Sequence, residues 1–291
     1  MWNIFCVLCL TLGTIRGQTE RRLEYTIYEE TPRNTFVADI RKNAKLDEII
    51  PSEDLDSLKF SILPGQHTEF FSMGSKDGVL RTAQRIDRDD QSLCYQKVYC
   101  QIKFDVTVQP REYFQIIKVT VNITDINDNL SNFHESHFSR SIAENTNPSA
   151  SFTIPTADDP DSPRFGVKRY ELLEGAPVFD LKVTDSSDGS LDLHLVLKQT
   201  VDREVRDQYR VKVAAYDGGV PAKMGILTSD IIILDVNDNH PIFSNETYTV
   251  VVPENVAPNQ AVIRVQATDK DFGPNGQVVY DFSAKTQHSF G

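Results

Sequence analysis

Two copies of one five-residue stretch concentrate the chemistry of this chain: Asp125-Ile126-Asn127-Asp128-Asn129 and Asp235-Val236-Asn237-Asp238-Asn239. Each places two carboxylates and two amides in five positions, and neither contains Lys or Arg. Carboxylates held this close repel one another, so the fold must bring positive charge to them. An oxygen-only donor set suits a hard cation, calcium before other metals. One such stretch could be an Asx-rich turn at a strand end. Two copies belong to a repeat. Asp125 and Asp235 are 110 residues apart, as are Asp159 and Asp269, and Glu144 and Glu254. A period near 110 exceeds that of solenoid repeats and matches a β-sandwich domain.

The elements around these acids read as strands. Ile117, Val119, Val121 and Ile123 alternate with polar residues and lead to Asp125. Tyr209, Val211, Val213 and Ala215 repeat the period of two, and Ile231 to Ile233 lead to Asp235. Asp77-Gly78 and Asp188-Gly189 are hairpin signals, and Tyr25 to Tyr28 opens the first unit as a strand running into acid. Helical periodicity is poor, with one turn expected over Lys45 to Ile50. The expected division is a leader at 1–17 and repeats at 18–128, 129–238 and 239–291, the third cut short with Tyr248 to Val252 as its first strand. The fold class is all-β: tandem seven-stranded Greek-key β-sandwiches.

The 291 residues carry 42 acidic and 30 basic side chains, a net charge of −12. Nucleic acid is therefore not an expected partner, because phosphate neutralisation needs a basic face. Trp2 to Leu12 is almost wholly apolar and too short to span a bilayer, which predicts a secretory leader cleaved near Gly17. Cleavage removes Cys6, Cys9 and the single tryptophan, Trp2. Cys94 and Cys100 then remain, and in an oxidising compartment they should bridge.

Asp202-Arg203-Glu204, Ala215-Tyr216-Asp217-Gly218, Pro253-Glu254-Asn255 and Asp269-Lys270-Asp271, in order with the Asp-x-Asn-Asp-Asn stretches, resemble the motifs of extracellular cadherin repeats. Asp87-Arg88-Asp89 followed by Cys94 and Cys100 is similar to the first repeat of protocadherins. The resemblance implies about three calcium ions per inter-repeat junction. The first set would be Glu29, Asp87, Asp89, Asp125, Asp128, Asp159, Asp161 and Asp217, with Asn127 by its side chain and Ile126 and Asn129 by backbone carbonyls. The second would be Glu144, Asp202, Glu204, Asp235, Asn237, Asp238, Asn239, Asp269 and Asp271, with Val236 and Asn275 by carbonyls. Glu29 is chosen over Glu30 by register with Glu254. Asp89 stands where the family usually has Glu, and Phe165 where Asn275 stands in the next repeat.

The resemblance further implies calcium-dependent homophilic adhesion with the same or a related protocadherin on an apposed cell. Strand exchange anchored by tryptophan is closed to a chain without one. Membrane attachment requires continuation past Gly291; a chain ending there would be a secreted competitor of the full receptor. Asn122, on the polar face of its strand, and Asn245, in a loop, lie in sequons and are expected to carry glycans; Asn129, also in a sequon, is expected bare. A glycosidase pair would need a cleft rather than a repeated hinge. His134 and His137 lack the spacing of a metal site. No enzymatic motif or small-molecule substrate is expected.

Overall fold

The computed structural model describes residues 11–15, 18–185 and 191–282, with side chains from residue 21 onward. Positions 1–10, 16 and 17, most of the expected leader, lie outside the described residues, as do Asp188 and Gly189. The chain divides into two units. One comprises residues up to Asn132 with Ala157–Arg169 and Ala215–Gly225; the other comprises Phe133–Thr156, Tyr170–Ala214 and Ile226 onward.

The first unit holds β1 Thr11–Ile15, β2 Gln18–Tyr28, β3 Phe36–Asp39, β4 Lys59–Ile62, β5 Phe71–Met73, β6 Val79–Thr82, β7 Gln101–Gln109 and β8 Gln115–Thr124. They form a five-stranded sheet, β1-β2-β8-β7-β4, and a three-stranded sheet, β3-β6-β5. The alternation read from β8 is what fills the core: Ile117, Val119, Val121 and Ile123 are buried, opposite Leu80, Val37 and Phe71 of the smaller sheet. The expected turn at Lys45 to Ile50 is a 3₁₀ turn at Leu46–Glu48, and a short α-helix, α1, spans Ile40–Asn43 just before it. Asp39 caps α1, its Oδ1 accepting the Lys42 N–H.

Gly78 ends the β5–β6 turn at φ 68°, with the Phe60 ring 3.1 Å from where a Cβ would sit. Left-handed backbone and a closely packed aromatic both disfavour a side chain there. Gly78→Ala should destabilise the chain by about 1–2 kcal/mol, read as a lowered denaturant midpoint at unchanged slope.

The remaining strands are β9 Asn132–Phe133, β10 His137–Ala143, β11 Ser151–Ile154, β12 Ala157–Asp158, β13 Arg169–Glu174, β14 Phe179–Asp185, β15 Leu191–Leu197, β16 Gln208–Tyr216, β17 Met224–Leu234, β18 Ile242–Phe243 and β19 Ala267–Thr268. A four-stranded sheet in the order β10-β17-β16-β13 faces a three-stranded sheet, β11-β15-β14. Val211, Val213, Ile231 and Ile233 on one side and Phe179, Leu193 and Leu195 on the other are buried. The architecture is all-β, with sandwiches in tandem.

The strand expected at Tyr248 to Val252 does not form, and Val250 to Val252 are exposed. A strand exists as a ladder with a neighbour. In the two preceding repeats the opening strand pairs with the last strand of its own repeat, β2 with β8 and β10 with β17. No such partner stands beside Tyr248 to Val252 among the described residues.

Candidate metal centre

The parallel pairing of β2 with β8 sets Tyr28 opposite Thr124, so both strands end at one place. The next residues are Glu29 and Asp125, and the Glu29 N–H donates to the Thr124 carbonyl at 3.0 Å. In the second unit, pairing of β10 with β17 sets Ala143 opposite Leu234. Glu144 and Asp235 follow, with the Glu144 N–H donating to the Leu234 carbonyl at 3.1 Å.

Each glutamate is a structural staple as well as an acid. Glu29, 2% exposed, accepts the Arg88 N–H and the Ile126 N–H, both at 2.9 Å. Glu144 accepts the Arg203 N–H at 2.9 Å and the Val236 N–H at 2.6 Å. Glu30, one position on, pairs instead with Arg85 at 2.7 Å.

Around these staples the acids form overlapping groups of three. Carboxylate oxygens of Glu29, Asp89 and Asp125 lie within 4.8 Å of one another, and so do those of Asp89, Asp128 and Asp161. The second unit repeats this with Glu144, Asp202 and Glu204, and with Glu204, Asp238 and Asp271. Asp89 and Glu204 are the shared members. Asp89 thus takes the bridging position despite its shorter side chain.

Other residues named from the sequence are held by hydrogen bonds of their own. Asp87 accepts the Asp89 N–H at 3.1 Å, and Asp269 accepts the Asp271 N–H at 3.0 Å. Asp159 accepts the Ser131 hydroxyl at 2.8 Å and the Asp161 N–H at 3.1 Å. Asp217 accepts N–H groups of Gly219 and Lys223, each at 2.9 Å, through one oxygen. The Ile126 carbonyl accepts the Asp128 N–H at 2.9 Å. The Phe165 carbonyl accepts the Gly218 N–H at 3.0 Å. The Asn275 amide donates to Asp235 at 2.9 Å, and its carbonyl accepts from the Asn237 amide at 3.5 Å.

Asn129 and Asn239 do something the sequence did not disclose. The Asn129 amide nitrogen lies 3.0 Å from Asp89, 3.0 Å from Asp128 and 2.7 Å from Asp161. Asn239 does the same toward Glu204, Asp238 and Asp271. Two amide hydrogens among three carboxylates supply partial positive charge, which offsets only part of the repulsion.

Arg88 is the other residue missed. Its guanidinium is buried and donates to Asp125 at 3.0 Å, to Asp89 at 3.3 Å and to the Lys97 carbonyl. Arg203 lies 4.0 Å from Asp235 and packs its guanidinium over the Phe272 ring, also at 4.0 Å. The sole sequence signal was the Arg between two acids in each motif.

These cations leave the clusters short of positive charge. Eight buried side-chain polar atoms among the described residues lack a partner, and five belong to the expected calcium ligands: Asn127 Oδ1, Asp161 Oδ2, Glu204 Oε1, Asp217 Oδ2 and Asp271 Oδ2. Buried polar atoms are normally paired, and three of these orphan oxygens fall in the first donor set and two in the second, which is compatible with cation binding. Burial pushes the Glu29 carboxyl up to about 8, against the pull of its two backbone donors. Burial, with repulsion from Glu29 next, pushes Asp89 up to about 9. Burial also raises Asp128 and Asp159, and it raises Glu204 and Asp238 with added repulsion from Glu144. Acids, amide oxygens and orphan lone pairs in this density fit calcium.

Tandem β-sandwiches whose strand ends gather repeated acid clusters define a class of extracellular repeat proteins. Residues 138–234 match the family model for the cadherin domain, and residues 22–110 match a cadherin-like model. Human protocadherin gamma-A11 is 34% identical over 280 residues, covering 96% of this chain and 29% of that protein. Human protocadherin-17 is 32% identical over 285 residues, covering 96% of this chain and 24% of that protein. The chain thus spans under a third of the length of these relatives. Mouse clustered PcdhgC3 EC1-3 superposes with a TM-score of 0.78 at 30% identity, covering 90% of this chain and 80% of that structure. Protocadherin Gamma C5 EC1-3 superposes with a TM-score of 0.75 at 32% identity, covering 91% and 83%. The chain belongs to the cadherin superfamily and is protocadherin-like.

Proposed function

We propose that this chain forms the membrane-distal repeats of a protocadherin-like receptor for calcium-dependent, homophilic cell–cell adhesion at the cell surface. The observation that carries this reading is the repeated set of buried acids with orphan oxygens. Bound calcium would supply the positive charge these acids lack, about three ions per junction. Glu29, Asp87, Asp89, Asp125, Asp128, Asp159, Asp161 and Asp217 would hold it at the first centre, and Glu144, Asp202, Glu204, Asp235, Asp238, Asp269 and Asp271 at the second. The chain's own part is to bring strand ends, linker and loops to one point, so that a shared set of bonds stiffens the seam. Residues 1–17 serve as a leader, and Asn245 carries a glycan. Asn122, whose amide donates to Glu24 at 2.6 Å, carries one only if that contact opens. Among the described residues no helix is long and apolar enough to cross a membrane.

Bead aggregation tests the reading. Beads bearing the extended receptor should cluster in about millimolar calcium, disperse in chelator, and be inhibited weakly by this chain added in solution. Clustering that persists in chelator would exclude the calcium-dependent mechanism.

A further inference from the structure

The Cys94–Cys100 bridge has its sulphurs bonded across a Cα separation of 5.6 Å and closes a five-residue loop. In so short a ring the gain from restricting the unfolded chain is modest. What the loop carries is more telling. The Tyr95 hydroxyl donates to Asp158. The Gln96 side-chain amide donates to the Asp158 carboxylate at 2.5 Å and to the Asp159 carbonyl at 2.9 Å. The Gln96 N–H donates to the Pro160 carbonyl at 3.2 Å. Four hydrogen bonds from two consecutive residues thus end on three consecutive residues, Asp158 to Pro160. That segment carries Asp159 and leads to Asp161, two residues of the first centre.

Gln96 makes these contacts from a left-handed backbone conformation, φ 54°, which is unfavourable for a residue with a Cβ. Such a conformation persists where surrounding bonds over-determine it. The bridge fixes both ends of the loop, and the Lys97 carbonyl within it accepts from Arg88, itself held against Asp89 and Asp125. The loop is therefore tied on one side to the acids of the strand ends and on the other to the acids of the Asp158–Asp161 segment. In the second unit no disulfide occurs among the described residues, and Arg203 over Phe272 is the neighbouring contact there.

We propose that Tyr95 and Gln96 are positioning residues for the first calcium centre. The bridged loop holds Asp159 and Asp161 in place before the cation arrives, so less ordering remains to be done on binding. This rests on the calcium reading above. Partners of ligating carboxylates typically affect metal affinity by 10- to 100-fold. The loop acts one bond further out through the backbone, so about tenfold is expected.

The test uses Gln96→Gly, which keeps the left-handed backbone and its N–H but removes the amide, combined with Tyr95→Phe. Both are placed in a Glu204→Gln/Asp238→Asn background, which silences the second centre so that titration reports the first. Calcium titration should show the midpoint raised about tenfold. Hydrogen exchange in chelator should show faster exchange confined to residues 157–162. An unchanged midpoint with calcium still taken up would overturn the positioning role alone, even if the melting temperature fell. No uptake by the background chain with Tyr95 and Gln96 intact would overturn the calcium reading and this inference with it. Cys94→Ser/Cys100→Ser should reproduce the shift if it folds; the Gln96→Gly variant decides the matter if it does not.

Discussion

Asp161→Asn should weaken the chain in calcium and strengthen it in chelator. Asp161 is 1% exposed and one carboxylate oxygen has no partner. The other lies 2.7 Å from the Asn129 amide. Asparagine keeps the size and removes the charge. Without calcium, the variant relieves a buried charge among like charges, so the melting temperature should rise. With calcium, a ligand is lost. Extracellular calcium modules bind at about 10⁻⁴–10⁻³ M, and at a hundredfold excess over Kd a site contributes about 2.7 kcal/mol. Losing one site should remove about 2–3 kcal/mol of calcium-dependent stability. Thermal melts of both proteins in both conditions give the four numbers needed. A fall of equal size with and without calcium would assign Asp161 a packing role only.

The calcium-free chain should also lose stability as pH rises. Glu29 and Asp89 are raised in the folded chain from ordinary values of 4.5 and 3.8 to about 8 and about 9. Between the ordinary and raised values the folded state holds protons that the unfolded state has released. Stability therefore decreases with pH across this window. The contribution is complete below about pH 4 and is gone once pH passes the raised values. Calcium replaces those protons, so in excess calcium the decline from pH 5 to 9 should vanish, and uptake near pH 7 should release protons. Denaturant unfolding in chelator at several pH values reads the slope. A chelator stability that rises over that range would contradict the burial of these two acids without a cation.

Much of this was legible in the sequence because the repeat is written in residue types. The acids at offsets of 110, and the alternation in β8, β16 and β17, follow directly from side-chain chemistry and the two-residue period of a strand. Residues with no local pattern were not legible. Parallel pairing of β2 with β8 joins residues about a hundred positions apart, and only that pairing explains why Glu29 meets Asp125. Arg88 reads as one charge among acids until its burial is known. Asn129 offers oxygen and nitrogen equally in a sequence, and the structure presents the nitrogen. The contact of Tyr95 and Gln96 with Asp158–Pro160 joins segments about sixty positions apart in the first unit, which no periodicity encodes. Tyr248 to Val252 failed for a related reason: alternation makes a segment competent for a ladder but does not supply the neighbour.

Isothermal titration of calcium into the chain, alongside variants with Asp89 and Asp128 or Glu204 and Asp238 changed to their amides, tests the central claim most directly. The account predicts uptake of several ions per chain, with each double variant removing the share of one centre and sparing the other. Absence of uptake up to about 10 mM, or uptake unaffected by either double variant, would contradict it.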